Sequence, residues 1–336
     1  MIILGIESSC DETSAAIVEN GRKVLSNIVL SQAETHAKYG GVVPEIASRA
    51  HTEAIYPLCE TAIARAKVPN IGAVAATYAP GLIGALLVGL NFGKALAYKL
   101  NVPLIPVNHI KAHIAAAYLK ESADIKFPFL GFIASGGHTS IMEVTDYTNF
   151  RLLGMTRDDA IGEAFDKTAR AMGLDYPGGA AIEQYAQLGD KTSVKIPLAK
   201  VEGSELDFSF SDVKTHVINY INTLKQKNGG LTQTDKYNIA ASFTENVILS
   251  ATSRIKRAIE ITRHKTLVCA GGVMANGHIK SAIASLCEDM GVGLYIPDKK
   301  YCGDNAAMVA AQGYYEFLAG NTANLNQNAY ATVNWR

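Results

Sequence analysis

The chain has a single tryptophan and only five cysteines, no two of them in a C-x-x-C pair. An odd, scattered set of thiols excludes a disulfide framework and a zinc ribbon, and points to a reducing compartment. An excess of either charge is also missing. The 31 Lys and Arg balance the 31 Asp and Glu, so no global field draws the protein to nucleic acid or to an anionic membrane, and an RNA partner must be met by a local patch. The apolar run from Leu82 to Leu90 is about nine residues, short of the ~20 that cross a bilayer, and the N-terminus opens as a strand with no basic lead. These absences predict a soluble, cytoplasmic protein with no membrane partner. No G-x-x-x-x-G-K-[ST] is present, which excludes a P-loop nucleotide site. What remains is ordinary globular material: 336 residues, 48% hydrophobic and 18% charged, enough for two cores.

Residues 2–31 and 129–158 repeat one pattern, a strand opening on Leu-Gly, a small or acidic turn, and two further strands. The first copy reads IILGIESS, TSAAIVE, KVLSNIVLS and the second FLGFIASGG, TSIMEVT, FRLLGMT. Such short connections predict antiparallel meanders. Each copy is followed by a strand, a Gly-rich turn, a helix, a short strand and a last helix, so parallel strands reached through helical crossovers extend each sheet. The predicted fold class is α/β. A βββαβα sheet occurring twice is the architecture of the superfamily that holds actin, hexokinase and the heat-shock ATPases (ASKHA, ribonuclease H-like), a two-lobed fold that binds ligands in an interlobe cleft. The expected lobes are residues 1–126 and 127–336. The second carries a polar, irregular insertion at about 195–230 and ends in a helix able to pack on the first lobe. On this pseudo-twofold reading His109 and His113 begin the late helix of one half, Asp304 begins that of the other, and the two helix starts face each other across the cleft.

His109 and His113 stand at i,i+4, which puts both rings on one helix face within reach of a single ion. Asp304 in CGDNAAM supplies a third ligand, and two histidines plus one carboxylate with open positions suit Fe(II) or Zn(II). A metalloprotease is excluded, because H-E-x-x-H needs Glu after the first His and Ile110 stands there. The first strand turn, Glu7-Ser8-Ser9-Cys10-Asp11-Glu12-Thr13, holds three acids. Asp11 and Glu12 are candidates for a general base or for orienting groups, although a solvated turn with an Asx-type hydrogen bond has the same composition. Glycine turns at Ser135-Gly136-Gly137, Gly178-Gly179 and Gly271-Gly272 free backbone amides for phosphate. With Asp166, Glu183 and Asn276 in the same stretch they resemble a nucleotide site, carboxylates serving ribose hydroxyls and an amide serving base or sugar.

The segments IESSCDET, GGVVPEIASRAH, APGLIGALLVG, HIKAH, SGGHT, GEAFDK, YPGG, FSFSDVKT, AGGVMAN and DNAAM resemble, in order, those of the TsaD family, formerly called Gcp or O-sialoglycoprotein endopeptidase. The resemblance runs from residue 2 to about 320. It implies an acyltransferase that moves the threonylcarbamoyl group of threonylcarbamoyl-AMP to N6 of the adenosine 3′ of the anticodon in tRNAs reading ANN codons. It implies one divalent metal per subunit at His109, His113 and Asp304, Fe(II) first, with Zn(II) or Mg(II) as alternatives. The family's nucleotide contacts, for threonylcarbamoyl-AMP or ATP/ADP, match Ile133, Ala134, Ser135, Gly136, Gly137, Asp166, Gly179 and Asn276, with Glu183 where the family has Asp. The usual PGGP reads PGGA here, and Asp212-Val213 replace a commoner Gly-Leu. As a bacterial-type member it implies TsaB-like and TsaE-like partners, and a TsaC/Sua-type synthase that supplies the intermediate.

An acyl-phosphate anhydride already carries a good leaving group, so the protein supplies positioning, charge stabilisation and a base for the N6 proton, here Asp11 or Glu12. For tRNA the visible basic cluster is Arg254, Lys256, Arg257, Arg263, His264 and Lys265. For protein partners the helical stretches 46–66 and 82–97 are candidates. Two other classes share features with this reading: an ATP-dependent phosphotransferase of the sugar-kinase type, which leaves the histidine pair without a task, and a non-catalytic nucleotide-binding module, which needs no tightly held metal.

Overall fold

Residues 1–120 and 124–335 are described by a computed structural model. They form two compact units. Unit 1 comprises Met1–Phe127, Val144–Phe150 and Tyr295–Arg336, and unit 2 comprises Pro128–Glu143 and Arg151–Leu294. The last 42 residues, assigned to the second lobe from sequence, therefore belong by packing to the first unit.

Unit 1 contains β1 (Ile2–Glu7), β2 (Glu12–Glu19), β3 (Lys23–Ser31), α1 (Ala33–Ala37), α2 (Pro44–Ala66), β4 (Ala73–Ala79), α3 (Ile83–Leu100), β5 (Leu104–Asn108) and α4 (His109–Ala115). Its sheet runs β3-β2-β1-β4-β5, with β1, β2 and β3 antiparallel and β4 and β5 parallel to β1 in succession. Unit 2 contains β6 (Phe129–Ala134), β7 (Thr139–Val144), β8 (Phe150–Met155), α5 (Ile161–Met172), α6 (Gly178–Ala186), α7 (Ser211–Asn228), α8 (Gln233–Thr262), β9 (Thr266–Ala270), α9 (Gly277–Met290) and β10 (Gly293–Tyr295). Its order, β10-β9-β6-β7-β8, is that of the first sheet, so the repeat seen in the sequence is a repeat of topology. The final helix, α10 (Ala306–Leu318), packs on β1, β2 and α4 of unit 1.

Strand parity explains how β1 serves two layers, since successive side chains leave a strand on opposite faces. Leu4 and Ile6 join Ile55, Leu86 and Leu90 in the core under α2 and α3. Each such fully buried side chain contributes about 1.5–3 kcal/mol. Ile3, Gly5 and Glu7 leave on the other face. A Cβ on Gly5 would lie 2.2 Å from the Ala306 carbonyl oxygen and 2.8 Å from the Ala310 nitrogen, so this glycine lets α10 approach the strand backbone.

One sequence expectation is corrected. The segment 195–230 is not irregular throughout: α7 fills half of it, because Val213, Val217 and Ile221 recur at four-residue spacing and are buried. Its first turn is held by Asp158, which accepts from the Phe210 and Ser211 amides and the Ser209 hydroxyl. The apolar run from Leu82 stops at Asn91, while the helix that carries it continues to Leu100. α3 is long and apolar enough to cross a membrane by length and composition, yet Ala85, Leu86, Gly89, Leu90, Gly93 and Ala97 are buried and the helix packs on β4 and α2, as a core helix does.

Candidate active site

The first group is built entirely within unit 1. Asn108, the last residue of β5, turns its side-chain oxygen to the Ile110 and Lys111 amides and caps α4, so the chain leaves the sheet directly into a helix whose first residue is His109. His113 follows one turn later on the same face, and the ring centroids are 4.6 Å apart. Asn305 caps α10 by accepting from the Met308 amide, and its amide group donates to the carbonyls of Tyr301 and Gly303. Next to it, the Ala306 amide donates to Ser14 Oγ of β2. These bonds fix the backbone on both sides of Asp304. Asp304 Oδ1 lies 3.6 Å from His109 Nε2 and 3.3 Å from His113 Nε2. One ligand atom from each residue lies within 4.8 Å of the others, so this trio can hold a divalent metal.

The partners of the three side chains fit that use. His113 is fully buried, and neither ring nitrogen has a hydrogen-bond partner among the described residues. An imidazole in that position lacks compensation for its desolvation unless an ion takes it. His109 Nδ1 faces Glu7 Oε2 at 3.1 Å and Ser9 Oγ at 3.2 Å. A carboxylate only accepts, so a proton on Nδ1 is held there, and in the neutral ring the Nε2 lone pair faces Asp304, the carboxylate–histidine arrangement that orients metal ligands. Glu7 is itself fixed by the Ser9 amide at 2.6 Å and the Thr77 hydroxyl at 2.7 Å. Burial opposes its ionisation, but His109 outweighs burial and holds its carboxyl below the usual range.

Carboxylates crowd around this trio. Burial, then the negative charges of Asp304 and Asp11, push Glu12 up to about 9. Burial opposes a charged His109, while Asp304 and Glu7 together lift the ring to about 9. The Cys10 thiol is raised by burial and by Asp11 and Asp304. A bound dication relieves this crowding of carboxylates.

Asp11 and Glu12 lie in the β1–β2 turn and at the first residue of β2. Asp11 is 8% exposed, and Glu12 accepts from Ser31 Oγ. Both belong to the electrostatic surroundings of Asp304. The repeat predicts Asp304 at a helix start facing the histidines across a cleft, with a last helix able to pack on the first lobe; α10 packs in unit 1, and the three side chains share that one compact unit. Glu7, Ser9 and Thr77 were not singled out. The available signal for Glu7 was parity: it shares a face with Ile3 and Gly5, and a carboxylate there breaks an otherwise apolar strand.

The second group lies in unit 2. Ile133 and Ala134 end β6, fully buried, and Ser135 follows with its amide bonded to the His138 carbonyl. A Cβ on Gly136 or Gly137 would meet nothing within 4 Å, so this turn borders open space. Gly271, at φ +97°, passes so near that a Cβ would lie 2.3 Å from the Ala134 carbonyl oxygen. Asp166 of α5 accepts from the Gly178 amide at 2.8 Å, beside Gly179, where a Cβ would also meet nothing. Glu183 of α6 accepts from the Gly277 amide at 2.6 Å, and Asn276 caps α9 through the His278 and Ile279 amides. Two pairs thus form, Asp166 with the Gly178-Gly179 turn and Glu183 with the start of α9.

The basic cluster is largely engaged by its own unit. Arg254 donates to the Asp207 and Ala199 carbonyls, Arg257 pairs with Glu205 and Glu260, and His264 with Glu143. Lys256, Arg257, Arg263 and Lys265 remain exposed.

Two like-ordered five-stranded sheets, one carrying a His-His-carboxylate group, define an α/β protein of the actin and hexokinase-like class. Solved structures agree on the fold. Full-length HypF in its phosphate- and nucleotide-bound form superposes with a TM-score of 0.63 at 14% identity, covering 98% of this chain and 47% of that one. Component A of the Acidaminococcus fermentans (R)-2-hydroxyglutaryl-CoA dehydratase gives 0.54 at 16%, covering 94% and 98%. The family model for TsaD, tRNA N6-adenosine threonylcarbamoyltransferase, matches residues 23–311. The transferase of that name from Clostridioides difficile (strain 630) is 46% identical over 331 residues, 98% of this chain and 97% of the relative. That from Caldicellulosiruptor saccharolyticus is 47% identical over 332 residues, with the same coverage. The chain belongs to the TsaD family of threonylcarbamoyltransferases.

Proposed function

We propose that this chain transfers the threonylcarbamoyl group of threonylcarbamoyl-AMP to N6 of the adenosine 3′ of the anticodon in ANN-decoding tRNAs. Family membership supports the reaction class, and the observation that carries the metal-assisted form is His113, a fully buried imidazole with both nitrogens unpartnered beside Asp304 and His109. His109, His113 and Asp304 hold the divalent ion in this reading, Fe(II) before Zn(II) or Mg(II). Such an ion supplies Lewis acidity to a carbonyl, or a docking point for the threonyl carboxylate and hydroxyl.

The chain's own residues do the rest. The amides of Ser135, Gly136 and Gly137 meet the AMP phosphate, where open space at both glycines supports a close approach. Asp166 and Glu183 take the ribose hydroxyls beside Gly179 and Asn276. Adenosine N6 attacks the carbamoyl carbon, the bond from that carbon to the phosphate oxygen breaks, AMP leaves, and the N6 proton passes to Asp11 or Glu12. We assign the protein to the cytoplasm with tRNA, TsaB-like and TsaE-like partners, and a TsaC/Sua-type synthase upstream. Exposed Tyr56 on α2 and Ile83, Tyr98 and Leu100 on α3 support a partner surface there.

The test combines threonine, bicarbonate, ATP, a threonylcarbamoyl-AMP-forming enzyme and unmodified ANN-decoding tRNA, with and without the TsaB-like and TsaE-like proteins. Modified adenosine is read by mass spectrometry for wild type, His109→Ala and Asp11→Asn. Product that disappears with His109→Ala supports the metal-assisted transferase. Wild type that makes no product while the intermediate accumulates sinks the transferase reading.

A further inference from the structure

The acidic turn is held from two directions, and one of them has no part in the chemistry described so far. Residues 7–9 are tied to the metal group and α3: Glu7 and Ser9 face His109, and Ser8 Oγ donates to the Ala85 carbonyl while accepting from the Gly89 amide. Residues 10–13 are tied to the opposite side, chiefly by His51 of α2. His51 is fully buried. Its Nε2 lies 2.9 Å from the Cys10 carbonyl oxygen and its Nδ1 2.7 Å from Thr13 Oγ1. A carbonyl only accepts, so Nε2 carries the proton, Nδ1 is the acceptor, and the Thr13 hydroxyl donates to it. Burial accords with this neutral ring and lowers its pKa. The two bonds grip the chain immediately before Asp11 and immediately after Glu12. Gln32 reinforces the grip: its backbone amide donates to the Asp11 carbonyl, and its side chain reaches the Ala47 carbonyl of α2 and the His36 ring.

We propose that His51 is a positioning residue, a two-point clamp that sets the Asp11–Glu12 backbone against α2 and so fixes where the two carboxylates stand. This rests on the reading of Asp11 or Glu12 as the proton acceptor. An imidazole is the side chain suited to the task, because it presents a donor and an acceptor at fixed separation on a rigid ring, whereas an amide on a flexible stem reaches one point at a time. His51→Gln retains a donor for the Cys10 carbonyl and loses Thr13. His51→Asn retains an acceptor for Thr13 and loses Cys10. Thr13→Val removes the hydroxyl alone and leaves the core of α2 intact.

The experiment measures kcat and KM in the reconstituted reaction for His51→Gln, His51→Asn and Thr13→Val, each also in an Asp11→Asn, Glu12→Gln background. Hydrogen exchange of the amides from residue 8 to 14 is followed in parallel. Each single variant is expected to lower kcat about tenfold, the worth of one buried hydrogen bond, with KM for tRNA and threonylcarbamoyl-AMP and metal content unchanged. Exchange should rise in residues 8–14 and nowhere else in the β1–β2 hairpin. In the background lacking both acids the His51 variants should cost nothing more. A full additional loss there means that His51 acts elsewhere and overturns the clamp while leaving the acids in their role. Full turnover in the background itself removes the acids from the mechanism, and the clamp with them. Thr13→Val keeps the question decidable if a His51 variant fails to fold, since unchanged kcat and unchanged exchange in that variant also overturn it.

Discussion

Glu7 is the residue on which the candidate metal group turns. It is fully buried, its oxygens are occupied by Ser9, Thr77 and His109, and it keeps the His109 proton away from the ion-facing nitrogen. Glu7→Gln is expected to weaken metal binding about 10–100-fold, the usual consequence of losing a carboxylate behind a ligating histidine, without unfolding the chain. Metal titration by calorimetry checks this, and unchanged affinity would contradict the assigned tautomer. A second residue controls acid stability. Burial of Asp159 raises its pKa, but hydrogen bonds and charges from Lys167 and Lys214 outweigh burial and hold it below 3.8. A carboxyl depressed in the folded state binds fewer protons there than in the unfolded chain, so its contribution is complete above the ordinary carboxylate range and fades as pH falls through the folded value. Urea midpoints followed from about pH 5 to about pH 2 should fall less steeply for Lys214→Met than for wild type. Asp304 came from the repeat and the family resemblance, whereas the histidine pair was legible as a candidate because i,i+4 spacing is local. Glu7 was not, because its role depends on a partner in α4.

At the scale of elements, α10 is seated on β1 through a glycine. Gly5→Val puts side-chain atoms where the Ala306 carbonyl and the Ala310 nitrogen already stand. It should cost about 1–3 kcal/mol, as overpacking does, and loosen metal binding because Asp304 moves with the start of α10. A thermal melt beside a metal titration reads both, and a variant that melts normally and binds metal normally would refute the tight seating. The two meanders were readable from the sequence, since short turns between alternating strands leave few ways to pair. α7 was missed for a physical reason: its buried stripe is three aliphatic residues in an otherwise polar stretch. The Asp158 that anchors its start lies about fifty residues earlier in the chain. The partners of Arg254 and Arg257 at Ala199 and Glu205 were hidden likewise, lying about fifty residues away in the chain.

On the scale of the whole molecule, unit 1 is assembled from both ends of the chain with the short segment Val144–Phe150, and unit 2 from the rest of its middle. An ion bound to the folded state alone stabilises what it touches by RT ln(1 + [L]/Kd), about 2.7 kcal/mol at a hundredfold excess over Kd. Loading the metal should therefore slow hydrogen exchange jointly in β1, α4 and α10, far apart in sequence, and leave α5 to α9 unaffected. Protection confined to α4 would mean that Asp304 takes no part. The duplicated pattern invites a cut into two consecutive halves, yet it also allowed a last helix able to pack on the first lobe, and α10 does pack there.

That return of α10 sets an order of events during synthesis. His109 and His113 leave the ribosome long before Asp304, and β1 waits for the helix that packs against Ile3 and Gly5 until residue 318 has been made. The middle unit holds all of its own strands by residue 295 and is free to fold first. A nascent chain halted before Asp304 thus lacks both the helix that packs on β1 and the third member of the candidate ligand set.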